Sequence, residues 1–228
     1  MGPVNVYSLG GSLIIPGDIN TQFLKSFRDF ILSRVEKGEK AILVCGGGKI
    51  CRQYNEAAKE IANPKDEELD WLGISLTKAN AELVKIMFSD LAHENVITDP
   101  EKEIETTKKV IIASGHKPGN STDKVAVMLA KKFNGGRVIN MTNIDMVYDS
   151  DPKKNSDAKP IKEISTDKFL DLIGKDWQPG KNAPFDPVAT KLAKENETEV
   201  VILNGNNIEN LENYLNGNDF KGTVLKPN

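Results

Sequence analysis

The chain is 228 residues long, with a formal net charge of -3, 39% hydrophobic and 28% charged residues. These values suit a globular protein able to bury a substantial core, and the absence of a long Lys/Arg run excludes an extended basic nucleic-acid surface. No stretch approaches the roughly 18 apolar residues that span a bilayer, and Met1-Gly2-Pro3-Val4 is not a charged segment leading into an apolar core, so a cytoplasmic protein is expected.

In chain order, Val4 to Leu9 is a short β-type run that breaks at Gly10-Gly11-Ser12. A helix is expected from about Asn20 to Lys37. A second apolar run, Ala41 to Cys45, breaks at Gly46-Gly47-Gly48, and a helix is expected from Ile50 to Ala62. A strand that ends in consecutive glycines lets the backbone approach an anion without Cβ interference, and the first N–H groups of the following helix point at it. Arg52, about one helical turn beyond Gly48, can reach back over the same anion with a forked donor. Two such turns suggest two phosphate groups. Neither a P-loop nor a Rossmann assignment is supported, because no Gly-x-x-x-x-Gly-Lys-Ser/Thr occurs and the triple glycine is not Gly-x-Gly-x-x-Gly. Cys45 and Cys51 lack paired histidines and form neither a zinc site nor a disulfide scaffold; Cys45 reads as a buried strand residue.

Leu69, Leu72, Leu76, Ala79, Leu83 and Ile86 recur at three and four, which predicts one long amphipathic helix over Glu67 to Leu91. Val110 to Gly115 is a third strand, followed by the polar turn His116 to Asp123 and a helix from Val125 to Phe133. A fourth strand, Arg137 to Met141, runs into Thr142-Asn143-Ile144-Asp145, and a fifth, Glu199 to Leu203, ends at Asn204-Gly205-Asn206. Asp149 to Pro160 reads as an exposed loop, with Lys153 and Lys154 as solvated charges. The alternation implies βαβ units around a mainly parallel sheet. Ligands of such sheets bind outside the carboxyl ends of the strands, so the polar turns are expected to converge on one crevice. Neither His93 nor His116 has the company of a general base or a metal ligand, and no linker divides the chain.

The order of these turns resembles the amino acid kinase superfamily, and most closely its archaeal-type uridylate (UMP) kinases. The likeness is carried by Leu9-Gly10-Gly11-Ser12, by Gly46-Gly47-Gly48-Lys49 with Arg52, and by Asp70-Trp71-Leu72-Gly73-Ile74 with Thr77-Lys78-Ala79-Asn80-Ala81. It continues through Pro118-Gly119 and Ser121-Thr122-Asp123, Thr142-Asn143-Ile144-Asp145 with Val147-Tyr148 and Asp151-Pro152, Asp186-Pro187 with Ala189, and Gly222-Thr223-Val224. The resemblance implies a three-layer α/β/α sandwich with a mainly parallel central sheet, a single domain over residues 1–228. Its amino-terminal lobe, to about residue 140, would bind the acceptor, and the remainder would bind ATP. It further implies transfer of the γ-phosphoryl group of ATP to UMP in pyrimidine nucleotide biosynthesis, with Mg²⁺, in a homo-hexamer whose partners are small nucleotides rather than nucleic acid or membrane.

By the same resemblance Gly11, Ser12, Gly48 and Arg52 would hold the ATP phosphates, and Gly11, Ser12, Arg52 and Asp145 would form the catalytic set. Asp145 would act by fixing nearby cations. Gly47 would sit between donor and acceptor, Asp70 would take the nucleoside part of UMP, and His116, Lys117, Pro118, Gly119, Asn120, Ser121 and Thr122 would wrap the acceptor. Thr142, Asn143, Tyr148 and Asp151 would flank the adenosine, and no side chain would ligate a metal. The sequence also departs from the pattern. Ser8 stands where many members of the superfamily have lysine, Met146 where glycine is usual, Lys78 for arginine, Ser114 for glycine, Asn120 for histidine and Lys124 for a small residue. Met146 is expected to narrow the ATP pocket or strain its turn. These departures leave open a second reading, a non-catalytic or altered-specificity homologue that binds nucleotide or oxyanions for storage or regulation.

Overall fold

A computed structural model of the chain describes residues 2–152, 154–174 and 183–227; Lys153, expected to be a solvated loop charge, lies outside the described residues. Five strands run parallel in the spatial order β3 (Val110–Ala113), β2 (Lys40–Cys45), β1 (Val4–Leu9), β4 (Arg137–Thr142) and β8 (Glu199–Asn204). Beyond β8 the sheet gains β9 (Thr223–Lys226), antiparallel to it, and then β7 (Glu163–Ser165), parallel to β9. A separate antiparallel pair, β5 (Val147–Tyr148) and β6 (Pro160–Ile161), brackets the expected loop.

Helices cover both faces, and the side-chain alternation of the strands explains why. On β2, Ala41, Leu43 and Cys45 join a core with Phe23, Phe27 and Phe30 of α2 (Thr21–Glu36), Ala81 and Val84 of α4 (Asp66–Ile86) and Leu211 of α8 (Ile208–Leu215). Ile42 and Val44 point the other way, into a core with Val125 and Leu129 of α5 (Thr122–Lys132), Phe169 of α6 (Thr166–Ile173) and Ala189 of α7 (Pro187–Glu195). Strands buried on both faces read as continuous apolar runs, as parallel strands do. The layered α/β/α expectation is therefore realised.

Register places the polar turns. Leu9 lies beside Cys45 and Met141, Ala113 beside Val44, and Thr142 beside Asn204, so five carboxyl ends share one rim. Because β4 is hydrogen-bonded to both β1 and β8, the sheet runs unbroken through Asn140.

Some boundaries differ from expectation. The predicted helix to Leu91 stops at Ile86; Phe88 turns into the core, Ser89 takes a φ of +45° and a short 3-10 turn covers Ser89–Leu91. Conversely α5 starts at Thr122 rather than Val125, because the Ser121 hydroxyl accepts the Lys124 N–H and caps the helix. Thr122 and Asp123 thus belong to its first turn.

Candidate active site

The two glycine turns meet. β1 leads into α1 (Gly11–Ile14) and β2 into α3 (Gly48–Ile61). Gly46 donates its N–H to the Leu9 carbonyl at 2.9 Å and Gly10 donates to the Met141 carbonyl at 3.0 Å, which ties β1, β2 and β4 together at the rim. A Cβ on Gly11 would come within 2.0 Å of the Gly48 nitrogen, and Gly48, at a φ of +72°, could carry one only within 2.3 Å of the Gly11 carbonyl oxygen. Only glycine permits this approach.

Neither α1 nor α3 has a side-chain cap. By contrast α2, α5, α6, α7 and α8 are capped by Asn20, Ser121, Ser165, Asp186 and Asn207, and Glu68 of α4 reaches back to the Lys65 N–H at 2.8 Å. The first N–H groups of a helix have no intrahelical acceptor, so the two glycine turns retain donors that the other helices spend on their own side chains. The partial positive charge of an uncapped helix start points the same way.

Beside α3 lies a cleft of about 340 Å³ lined by Gly47, Gly48, Cys51, Arg52, Asn55, Leu69, Asp70, Gly73, Ile74, Thr77, Gly115, Lys117, Asn120, Ser121 and Thr122. It gathers residues from three parts of the sequence: the second glycine turn, the start of α4 and the loop after β3. Asp70, inside α4 rather than at its cap, accepts the Gly119 N–H at 2.8 Å through Oδ2. The Thr77 hydroxyl oxygen accepts the Gly115 N–H at 2.9 Å, and the Asn80 amide donates to the Gly46 carbonyl at 2.8 Å. These bonds fasten the loop and the glycine turn to one helix. Arg52 is exposed and lines the cleft. Pro118 and Gly119 do not line it; they form a turn between the lining residues Lys117 and Asn120, with Asn120 donating to the Lys117 and Pro118 carbonyls. His116 does not line the cleft; its Nδ1 meets the Thr98 carbonyl at 3.0 Å.

A buried acidic pair lies behind the loop. The Ser8 hydroxyl, where many superfamily members have lysine, donates to Asp123 Oδ1 at 2.8 Å, and the Asp186 N–H donates to Asp123 Oδ2 at 3.2 Å. Burial raises the Asp123 carboxyl to about 6, with the Asp186 carboxylate adding to the rise and the Ser8 bond opposing it. Burial also raises Asp186, while its Oδ1 accepts the Ala189 N–H at 2.6 Å and starts α7. Burial pushes the Cys51 thiol up to about 11, moderated by Arg52, and holds the Cys45 thiol well above its ordinary value. Neither cysteine is a ready nucleophile, and both are unpaired.

Thr142 ends β4, and Asn143, Asp145, Tyr148 and Asp151 follow it; none of the five lines the cleft. Asp145 was expected between lysines and is found between one lysine and one amide: Lys221 at 2.5 Å and Asn204 at 2.8 Å. Those two bonds hold its carboxyl below the usual range. Asn204 also lines a second hollow, of about 540 Å³, together with Asn20, Asn206 and Asn207. Met146 does not have a positive φ and is buried, so its turn has no need of glycine and carries no left-handed strain. Asn204, Lys221, Thr77, Asn80 and the Ser8–Asp123 pair were missed as site residues, although Thr77, Asn80 and Asp123 lie in stretches that the family pattern had marked and Ser8 was noted as a departure from it.

Residues 3–204 match the family model described as amino acid kinase family. A uridylate kinase of Thermococcus sibiricus is 32% identical over 97% of this chain and 99% of its own length, and one of Methanobrevibacter smithii is 33% identical over 96% and 98%. Among solved structures, uridylate kinase from Archaeoglobus fulgidus superposes with a TM-score of 0.81 at 29% identity, covering 98% of this chain and all of its own. UMP kinase from Bacillus anthracis, 20% identical with a TM-score of 0.80, shares the fold. End-to-end matches of sequence and shape, on a rim where two glycine turns interlock, make this chain a member of the amino acid kinase family.

Proposed function

We propose that the protein is a UMP kinase, transferring the γ-phosphoryl group of ATP to the phosphate of UMP to give UDP and ADP. The observation that carries this reading is the uncapped start of α3, with Arg52, opening into the same cleft as the loop from Gly115 to Thr122. An acceptor phosphate is already ionised at neutral pH, so no general base is required. One P–O bond forms to a UMP phosphate oxygen while the bond to the departing ADP oxygen breaks. What the protein must do is align two polyanions and neutralise the migrating charge.

In this scheme Gly11, Ser12, Gly48 and Arg52 hold the ATP phosphates, and Gly47 stands at the junction. Asp70 and the segment His116 to Thr122 embrace UMP, with His116 supporting the loop from behind. Thr142, Asn143, Tyr148 and Asp151 flank the adenosine, and Asp145 steers the Lys221 ammonium. The division into an acceptor part, to about residue 140, and an ATP part follows the two sides of the glycine turns. The donors at those turns are N–H groups and a guanidinium, a set that fits phosphate oxygens, so Mg²⁺ would arrive bound to ATP as part of the substrate. Among the described residues α3 buries none of its side chains and leaves Tyr54 and Ile61 exposed, with Trp71 of α4 also open. A second copy of the chain would cover such a face, in keeping with a homo-oligomer. No helix is long and apolar enough to cross a membrane among the described residues, which is compatible with a cytoplasmic enzyme.

A coupled ADP-release assay over UMP, CMP and dUMP tests the reading. UMP-dependent turnover well above the ATPase background supports it, whereas nucleotide binding without turnover assigns the cleft to storage or regulation.

A further inference from the structure

Behind the acceptor loop, Asp99, Glu101 and His116 bring one ligand atom each to within 4.8 Å of one another. The His116 side chain is only 9% exposed, and its Nε2 atom is buried with no hydrogen-bond partner among the described residues. That nitrogen faces Asp99 Oδ1 at 3.7 Å and Glu101 Oε2 at 3.9 Å, both beyond hydrogen-bond reach. The rest of the constellation orients these atoms. The Thr98 carbonyl, 3.0 Å from Nδ1, can only accept, so it places the ring proton on Nδ1 and leaves Nε2 as a bare lone pair. Lys117 takes the other Glu101 oxygen, Oε1, at 2.9 Å, and the Glu101 N–H donates to Asp99 at 3.0 Å. A histidine lone pair and two carboxylate oxygens therefore converge, with Asp99 Oδ1 keeping one lone pair beside the Glu101 N–H that it accepts.

We propose that Asp99, Glu101 and His116 form a binding site for a divalent transition-metal cation of the zinc class, pinning the turn at 98–102 to the loop that follows β3. One imidazole and two carboxylates are a mixed nitrogen–oxygen set that suits zinc and its neighbours better than Mg²⁺, which prefers oxygen alone. Metal–ligand bonds of about 2.0–2.2 Å put tetrahedral ligands roughly 3.3–3.6 Å apart, so the two histidine–carboxylate separations need to close by only a few tenths of an ångström, and the carboxylates, within 4.8 Å of each other, by at most about 1.5 Å. A water would complete the coordination. None of the three residues lines the cleft, and the site does not depend on the kinase reading.

The test is zinc titration of the chelator-treated full-length protein by calorimetry, with Mg²⁺ present in excess to occupy oxygen-only sites. One zinc per chain is expected, with affinity falling about 10- to 100-fold in both Asp99→Asn and Glu101→Gln, and further in His116→Ala. The first two substitutions are near-isosteric and lie on a surface turn, so they do not threaten the fold. Cobalt bound in place of zinc should give a visible absorption that disappears with His116→Ala. The proposal is overturned if the wild type takes up no stoichiometric zinc, if affinity is unchanged in Asp99→Asn and His116→Ala, or if binding vanishes only with Cys51→Ser.

Discussion

The helices that open at the glycine turns and the helices elsewhere in the molecule treat their first N–H groups differently. Asn20, Ser121, Ser165, Asp186 and Asn207 each satisfy their own helix start, which stabilises the fold by about 1 kcal/mol per cap. At Gly10 and Gly47 there is no side chain to do so, and that stabilisation is forgone. The contrast separates positions that serve folding from positions held ready for a ligand, since an uncapped helix start is tolerable where an anion completes it.

Four measurements break or sharpen that contrast. Arg52→Ala should lower kcat by about 10²- to 10³-fold, the scale of losing one donor to a developing negative charge, and leave the melting temperature within about 1 °C because the side chain is exposed; an unchanged rate would remove Arg52 from the site. Asp123→Asn probes the acidic pair. With its carboxyl raised to about 6 in the folded protein, against an ordinary 3.8, Asp123 holds a proton in the fold that the unfolded chain has already released. Its contribution to stability therefore falls as pH rises between those values. The unfolding free energy of the wild type, relative to the variant, should drop by about 2 kcal/mol between pH 3.5 and pH 7, allowing for residual solvent contact. A flat difference would mean that Asp123 titrates normally.

Gly48→Ala should cost about 1–3 kcal/mol from the left-handed backbone alone, plus the collision with Gly11, and should impair activity along with stability. Chemical denaturation and initial rates on the same preparation would reveal a variant that loses only one. Ser165→Ala, at the far edge of the sheet, should cost about 1 kcal/mol of stability and leave kcat unaltered, since its hydroxyl caps α6 by accepting the Lys168 N–H. A comparable fall in kcat would erase the distinction between the two kinds of helix start.

Much of this was legible in the sequence, for physical reasons that differ by element. The parallel strands were visible because burial on both faces makes them continuous apolar runs, and the glycine turns because a run that stops at paired glycines has few alternatives. The short strands β7 and β9 were not, being three and four residues long with pairing decided by distant neighbours. Nor were contacts between remote residues: Ser8 with Asp123, 115 positions apart, and Lys221 with Asp145, 76 apart. His116 was read as lacking partners for a metal because Asp99 and Glu101 stand more than a dozen residues away and arrive only through the turn before β3. The helix predicted to Leu91 ran past Ile86, the last residue of its own stripe and the residue at which it ends, because nothing in the local sequence showed Phe88 turning into the core.

The interlocking of Gly11 with Gly48 also limits how such a protein can diversify. Main-chain atoms, not side chains, set the gap between the two turns, so sequence drift has no means of widening or narrowing it by small steps. Adaptation to a differently shaped acceptor must therefore occur out at Asp70 and the loop after β3, leaving the junction of the first two strand ends untouched as lineages diverge.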